Sequence, residues 1–212
     1  MAEAGGRLRP EYFERDDESD DALFYAQPRL VTHIDEPAIA ALTGWFRDRL
    51  PAGGDVLDLM SSCVSHLPTD VAYRRVAGLG MNQVELDANP QLTERVVRDL
   101  SREPALPYDD ASFDACLITV SVQYLIRPLE VFAEIARVLR PGGLCAVSFS
   151  NRMFPTKAVA VWRALDDVGH AGLVSYYFRE TAGFADPVFE DLSPDPGYSD
   201  PMFVVSAGRQ RA

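Results

Sequence analysis

Residues 128–149, PLEVFAEIARVLRPGGLCAVSF, decide the fold. From Pro128 to Arg140 the apolar residues recur at helical spacing behind a proline that suits a first helical turn. Pro141-Gly142-Gly143 then breaks the helix. The next segment, GLCAVSFS, is a short apolar run with the length of a buried strand. A helix fed through a tight turn into a buried strand is half of a parallel crossover unit, and the rest of the chain repeats the pattern.

Upstream, SFDACLITVSV (112–122), ERVVRDL (94–100), RVAGLG (75–80) and DVLDLM (55–60) read as further strands. Between them, LPTDVAYRR (67–75) reads as a helix opening at Pro68, and NQVEL (82–86) as a short helix stopped before Asn89-Pro90. EPAIAALTGWFRDRLP (36–51) predicts an amphipathic helix before the first strand. Downstream, TKAVAVWRALDDVG (156–169) and YYFRETAG (176–183) predict two helices. DPVFEDLSP and DPMFVVSAGR then form two short strands around the turn-rich PDPGYSD. With no helix between them, this last pair requires an antiparallel finish. The expected fold is α/β: a doubly wound, mostly parallel seven-stranded sheet with an antiparallel last strand.

The chain has 212 residues, 47% hydrophobic and 25% charged, which suffices for one sizeable core. Residues 1–22 carry the acidic cluster Asp16, Asp17, Glu18, Asp20, Asp21 and read as a mobile arm; residues 23–212 read as one domain. Thirty-two acids against 20 bases give a net charge of −12, which argues against nucleic acid and anionic membranes as partners. Cys63, Cys116 and Cys145 lack paired spacing, which fits a reducing, cytoplasmic setting. Neither an apolar signal-peptide centre nor a membrane-length run is present in the sequence. Cys63 and His66 have half a metal site's spacing with no second pair, so no metal is expected. Self-association into a homodimer stays open.

The element order resembles the class I S-adenosylmethionine-dependent methyltransferases. VLDL at the first strand, RDL before LPYDDASFDA, and EIARVLRPGGLCAVSF carry the resemblance, closest to the branch with the ubiquinone and menaquinone methyltransferases. It spans roughly residues 36–208, within the size of one domain. Phe113-Asp114 followed by Leu139-Arg140-Pro141-Gly142-Gly143 is its most specific part. The resemblance implies a Rossmann-like fold, S-adenosyl-L-methionine as cofactor and methyl transfer to a small molecule. The alternative is a noncatalytic member serving as a binding or partner subunit.

The implied cofactor residues can be taken position by position. Asp58 corresponds to the acid near the methionine ammonium; read alone, it also suits a turn cap. Gly80 stands where the family has its ribose-binding acid, followed by Met81 and Asn82. Met81 fits either the adenine face or the core, and Asn82 either a ribose hydroxyl or a helix N-cap. Asp99 and Leu100 match the adenine-binding acid and its apolar neighbour, although Asp99 also suits a turn. Val120, Ser121 and Gln123 correspond to the segment between cofactor and acceptor.

The loop after the first strand departs most from the family. No glycine occurs between Gly54 and Gly78, so Met60, Ser61 and Ser62 replace the usual flexible turn. The cofactor has no pyrophosphate, and serine hydroxyls could bind its methionine carboxylate instead. Candidate catalytic groups are Tyr25, His33, His66 and Tyr124. Tyr25 and His33 lie in LFYAQPRLVTHID (23–35), a stretch that either closes the pocket or packs the arm onto the domain. A lone histidine such as His66 is more often a structural hydrogen bonder.

Overall fold

The computed structural model describes residues 8–211. A 3-10 turn at Pro10–Phe13 and a short helix α1 (Asp21–Phe24) precede α2 (Glu36–Arg49), β1 (Asp55–Leu59), β2 (Arg75–Gly80), α3 (Gln83–Ala88) and β3 (Glu94–Val97). After β4 (Phe113–Thr119) and a 3-10 turn at Val122–Tyr124 come α4 (Pro128–Val138), β5 (Leu139–Phe149), α5 (Ala160–Arg163), α6 (Asp167–Glu180), β6 (Val188–Asp191) and β7 (Phe203–Gly208). The sheet order is β3-β2-β1-β4-β5-β7-β6. β1 to β5 pair in parallel, and β7 runs antiparallel to both of its neighbours. The antiparallel last strand is as expected.

Strand geometry sends alternate residues to opposite faces, and both faces are covered. Leu57, Cys116, Ile118, Cys145 and Val147 pack with Phe132, Trp162, Tyr177 and Phe178 from α4 to α6. Val56, Leu117, Ala146 and Val204 pack with Leu42, Trp45 and Phe46 of α2. Between β1 and β4 the order reverses, so the crevice beyond their carboxyl ends is the natural ligand site of the sheet.

The residues that carry the family likeness pin the opposite edge. Asp114 accepts from the Asp55 N–H at 2.8 Å, and Arg140 bridges Asp55 at 2.9 Å and Asp114 at 2.8 Å. Arg74 also pairs with Asp55, and its hydrogen bond is the chief reason the Asp55 pKa falls to about 2 despite burial. The expected turn at 141–143 lies inside β5, where the register with β4 shifts between Phe113 and Ala115; Gly142 adopts φ +83°, and a Cβ on Gly143 would meet the Arg140 and Asp114 carbonyls at 2.9 and 3.0 Å. The motif is thus a joint between β1, β4 and β5.

Three expectations need correction. First, residues 67–75 form no helix. Hydrogen bonds from Gly53 N to Ala72 O, from Arg74 N to Gly54 O and from Gln91 Nε2 to Leu67 O hold that segment as an open loop. Second, the predicted helix at 156–169 divides into α5 and the start of α6, and YYFRETAG is the end of α6 rather than a separate helix. The Asp166 side chain starts α6 by accepting from Gly169 N at 2.8 Å.

Third, the acidic arm is docked from residue 8 onward; the rest of the predicted arm, residues 1–7, lies outside the described residues. Lys157 has a fully buried side chain whose Nζ donates to the Ser19 carbonyl at 2.7 Å and the Asp17 carbonyl at 3.1 Å. The same ammonium lies 3.1 Å from Asp21, which Arg15 grips with two 2.8 Å hydrogen bonds. Burial alone would raise the Asp21 pKa, but the hydrogen bonds from Arg15 and Lys157 hold it below the ordinary value. Composition reports the arm's own poverty in apolar residues but not the cation waiting more than a hundred residues away.

Removing one partner from a buried ion cluster leaves the others uncompensated. Lys157→Met should lower stability by about 3–5 kcal/mol in urea titrations and open the bond after Arg15 to trypsin. An unchanged midpoint with Arg15 still protected would show that the arm docks without this cluster.

Candidate functional site

At the carboxyl edge of β1, β2 and β4 lies a cleft of about 430 Å³. Its floor includes Asp58, Met60, Ser61, Gly80 and Met81; one side carries Asp99, Leu100, Thr119, Val120 and Ser121. The segment after α1 lies over it with Tyr25, Arg29 and His33, and Asn151–Phe154 completes the rim. The sheet topology and the parallel register place these groups together.

Asp58 lies buried at the end of β1. It is 2% exposed, and its Oδ2 accepts from Ser61 Oγ and Ser65 Oγ, each at 2.6 Å. Burial is the main influence on it and raises its pKa from 3.8 to about 6, against the two hydroxyls that favour the charged form. No cation pairs with Asp58 among the described residues. An ammonium is therefore the ligand group that would best compensate it.

The glycine-free loop holds its path with side chains. Ser65 Oγ accepts from Asn89 Nδ2 at 2.9 Å, the same amide donates to the Ser62 carbonyl at 3.0 Å, and Ser62 Oγ donates to Glu85 at 2.7 Å. The path still demands left-handed backbone: Met60 has φ 60° and His66 φ 55°. Across the cleft Val120, a β-branched residue, has φ 50°. Such positions cost on the order of 1–3 kcal/mol each, and three of them line one cleft.

This arrangement revises the expected roles of several residues. The hydroxyl protons of Ser61 and Ser62 go to Asp58 and Glu85, so they are not directed at a ligand carboxylate. Gly80 cannot be exchanged for an acid in this backbone, because a Cβ there would lie 2.2 Å from the Ser61 carbonyl oxygen. Asn82 does not line the cleft: its Oδ1 caps α3, and its Nδ2 donates to the Tyr25 and Ala26 carbonyls at 2.8 and 3.2 Å. Gln123 is also outside the cleft, donating to the Val120 carbonyl at 3.0 Å and so bracing the left-handed turn.

Other expected residues do face the cleft. Asp99 Oδ1 accepts from Ser101 N at 2.8 Å, whereas Oδ2 is buried without a hydrogen-bond partner, Arg102 Nε being 3.6 Å away. Ser121 Oγ and Thr119 Oγ1 are likewise buried and unpartnered. Buried polar atoms of this kind normally find partners, and a polar ligand in the cleft would supply them.

The four candidate catalytic groups all line the cleft. Burial lowers His66 to about 4, with His33 adding repulsion, and partial burial lowers His33. Both imidazoles are therefore neutral near pH 7. Burial raises Tyr25 and Tyr124, so both phenols keep their protons. Tyr124 Oη accepts from Phe154 N at 2.8 Å and fixes the rim.

Glu85 is a site residue that sequence reasoning missed. It is 7% exposed and accepts from Arg29 N and Ser62 Oγ, each at 2.7 Å, joining the overlying segment to the loop. Its spacing from Asn82 is that of a capping box, a signal the sequence offered. Asn151 to Phe154 were also missed, although a polar loop after a buried strand marks the ligand edge of such a sheet.

A methyltransferase domain family matches residues 61–147, from the serine loop into β5. An uncharacterized methyltransferase of Mycobacterium tuberculosis (strain ATCC 25177 / H37Ra) is 30% identical over 141 residues, covering 62% of this chain and 50% of that protein. Over that stretch the chain is similar to methyltransferases. The biotin biosynthesis bifunctional protein BioHC of Teredinibacter turnerae is 33% identical over 79 residues, 37% of this chain and 14% of that protein. The chain spans half or less of the length of these curated relatives. A solved S-adenosylmethionine-dependent methyltransferase of Mesorhizobium loti shares the fold with a TM-score of 0.54 at 17% identity, covering 80% of this chain and 98% of that one.

Asp58 provides the test of this geometry. Its folded pKa of about 6 exceeds the ordinary 3.8, so its stabilising contribution is full below pH 4 and is lost as pH rises through 6. Asp58→Asn should match the wild type near pH 4 and exceed it at pH 7 by up to about 3 kcal/mol in urea titrations. A stability difference that does not vary with pH would refute the uncompensated burial of this acid.

Proposed function

We propose that the chain transfers a methyl group from S-adenosyl-L-methionine to a small molecule bound beneath the segment carrying Tyr25 to His33. The observation that carries this reading is the buried Asp99 Oδ2, which accepts no hydrogen bond, in the same cleft as the uncompensated Asp58. A cofactor with an adenine amino group at one end and an ammonium at the other offers a donor to each. Leu100 and Met81 supply the apolar surface for a flat ring, and Ser121 and Thr119 supply hydroxyls between the two ends.

The cofactor, when bound, supplies an electrophilic methyl on a sulfonium. The chain's own contribution is positioning and exclusion of water, which can account for most of the acceleration of such a displacement. Tyr124 and Phe154 form a wall, and the Asn82 and Glu85 contacts hold the overlying segment closed. Where an acceptor must lose a proton, His66 is available in its neutral form, with no ring hydrogen bond among the described residues.

A second reading, a noncatalytic binding or partner subunit, is favoured by one observation: the ribose-acid position is Gly80, closed by the Ser61 carbonyl. Calorimetry separates the two. Micromolar S-adenosylhomocysteine affinity supports the enzyme, with Asp99→Ala weakening it by about 1–3 kcal/mol through loss of a hydrogen bond to a charged acceptor. Absence of heat at millimolar ligand would favour the second reading, and an unaltered Asp99→Ala affinity would show that adenine lies elsewhere.

A further inference from the structure

The cleft has a second half that the cofactor reading leaves unassigned. Arg29 projects there from the overlying segment, its guanidinium carbon 4.4 Å from the Phe24 ring centroid, 5.1 Å from that of Phe154 and 5.8 Å from that of Tyr25. Tyr124 stacks on Phe154 at 6.0 Å, and His33 meets the same ring edge-on at 5.3 Å. The result is a cation in a flat-walled aromatic chamber.

The missing partner gives this chamber its meaning. The other arginines lining the cleft, Arg98 and Arg152, each lie within 4 Å of an acid, at 3.5 Å from Glu103 and 3.9 Å from Asp200. The Arg29 guanidinium has no carboxylate within that distance among the described residues, in a chain with 32 acids; Glu85 meets only its backbone N–H. Two of its N–H groups reach the Phe24 carbonyl at 3.1 Å and the Gln27 carbonyl at 3.5 Å; the remainder have no acceptor among the described residues. Aromatic faces attract the guanidinium plane but do not satisfy its in-plane N–H groups. Those groups match a carboxylate in geometry and in charge.

Arg152 at the rim is paired with Asp200, and His33, which feels both guanidiniums, is held neutral chiefly by burial. A cationic or neutral acceptor would leave the Arg29 guanidinium donors unused. Resting on the methyl-transfer reading above, we infer that the acceptor is a small planar carboxylic acid, its carboxylate held by Arg29 and its flat body set against Tyr25, Tyr124 and Phe154. Arg29 is then a specificity-determining residue.

The test uses matched carboxylic acids and carboxamides built on benzene, hydroxybenzene and indole rings, titrated by calorimetry with and without S-adenosylhomocysteine. For at least one ring the acid should bind about tenfold or more tightly than its amide, the size expected of one charge-assisted hydrogen bond, and added salt should narrow that ratio. In Arg29→Gln the ratio should collapse to near unity, while Arg29→Lys should retain part of it because the charge remains. Retention in the lysine variant distinguishes recognition from mere support of the overlying segment. Acid and amide binding alike, no binding of either series while S-adenosylhomocysteine binds, or an acid preference intact in Arg29→Gln, would each overturn the inference. An acid preference in protein with no S-adenosylhomocysteine affinity would instead support the anion site and remove the methyl-transfer reading.

Discussion

Two serine hydroxyls converging on one oxygen of Asp58 set the course of everything at the ligand edge of the sheet. They draw the chain after β1 back over the strand end, which forces left-handed backbone at Met60 and brings the Ser61 carbonyl onto β2. Only a glycine fits beneath that carbonyl, so the loop and Gly80 specify each other. Ser62 then reaches Glu85, Glu85 holds Arg29 N, and Asn82 holds the carbonyls of Tyr25 and Ala26. A single buried acid thereby fixes, through a chain of hydrogen bonds, where the segment above the cleft must lie. The bonds are directional and mostly buried, so loss of one member propagates.

Much of this architecture was legible in the residues. Parallel strands announce themselves as short apolar runs, and the Asp114 and Arg140 motif is local to two strand ends, so pattern and turn chemistry sufficed. The features that escaped were long-range. Nothing near Lys157 signals that it will neutralise the arm, because its acids lie some 140 residues earlier and polar composition alone argues for disorder. Residues 67–75 have helical composition, yet the segment is held by backbone bonds to Gly53 and Gly54 and by Gln91, and tertiary contacts override propensity.

The site was readable in its residues more than in their roles. Asp58, Asp99 and Ser121 could be placed from the ends of strands, since a sheet's carboxyl edge is where ligands lie. The serine hydroxyls could not be assigned a direction, because a hydroxyl donates to whichever acceptor is nearest. Here that acceptor is an internal acid. Gln123 illustrates the same limit from the other side: a polar residue after a buried strand invites a ligand role, but its amide instead supports the turn at Val120.

The charge of the whole molecule and the charge of the cleft point in opposite directions, and distance decides between them. A net −12 disfavours the approach of any anion over long range, yet salt confines that field to roughly 8–10 Å from the surface charges. Inside the cleft, contact interactions in a less polar surrounding outweigh it. Arg29 acts at that short range, among aromatic rings and with no acid paired to its guanidinium among the described residues. The acidic surface would therefore slow the arrival of a carboxylate without preventing its capture. By the same reasoning, the acids of the arm do not compete for Arg29, because Lys157, Arg15, Arg102 and Arg163 already hold Asp17, Asp21, Asp20 and Asp16. Docking of the arm thus has an electrostatic consequence for the cleft: it keeps the chain's own carboxylates away from the guanidinium that a ligand would use.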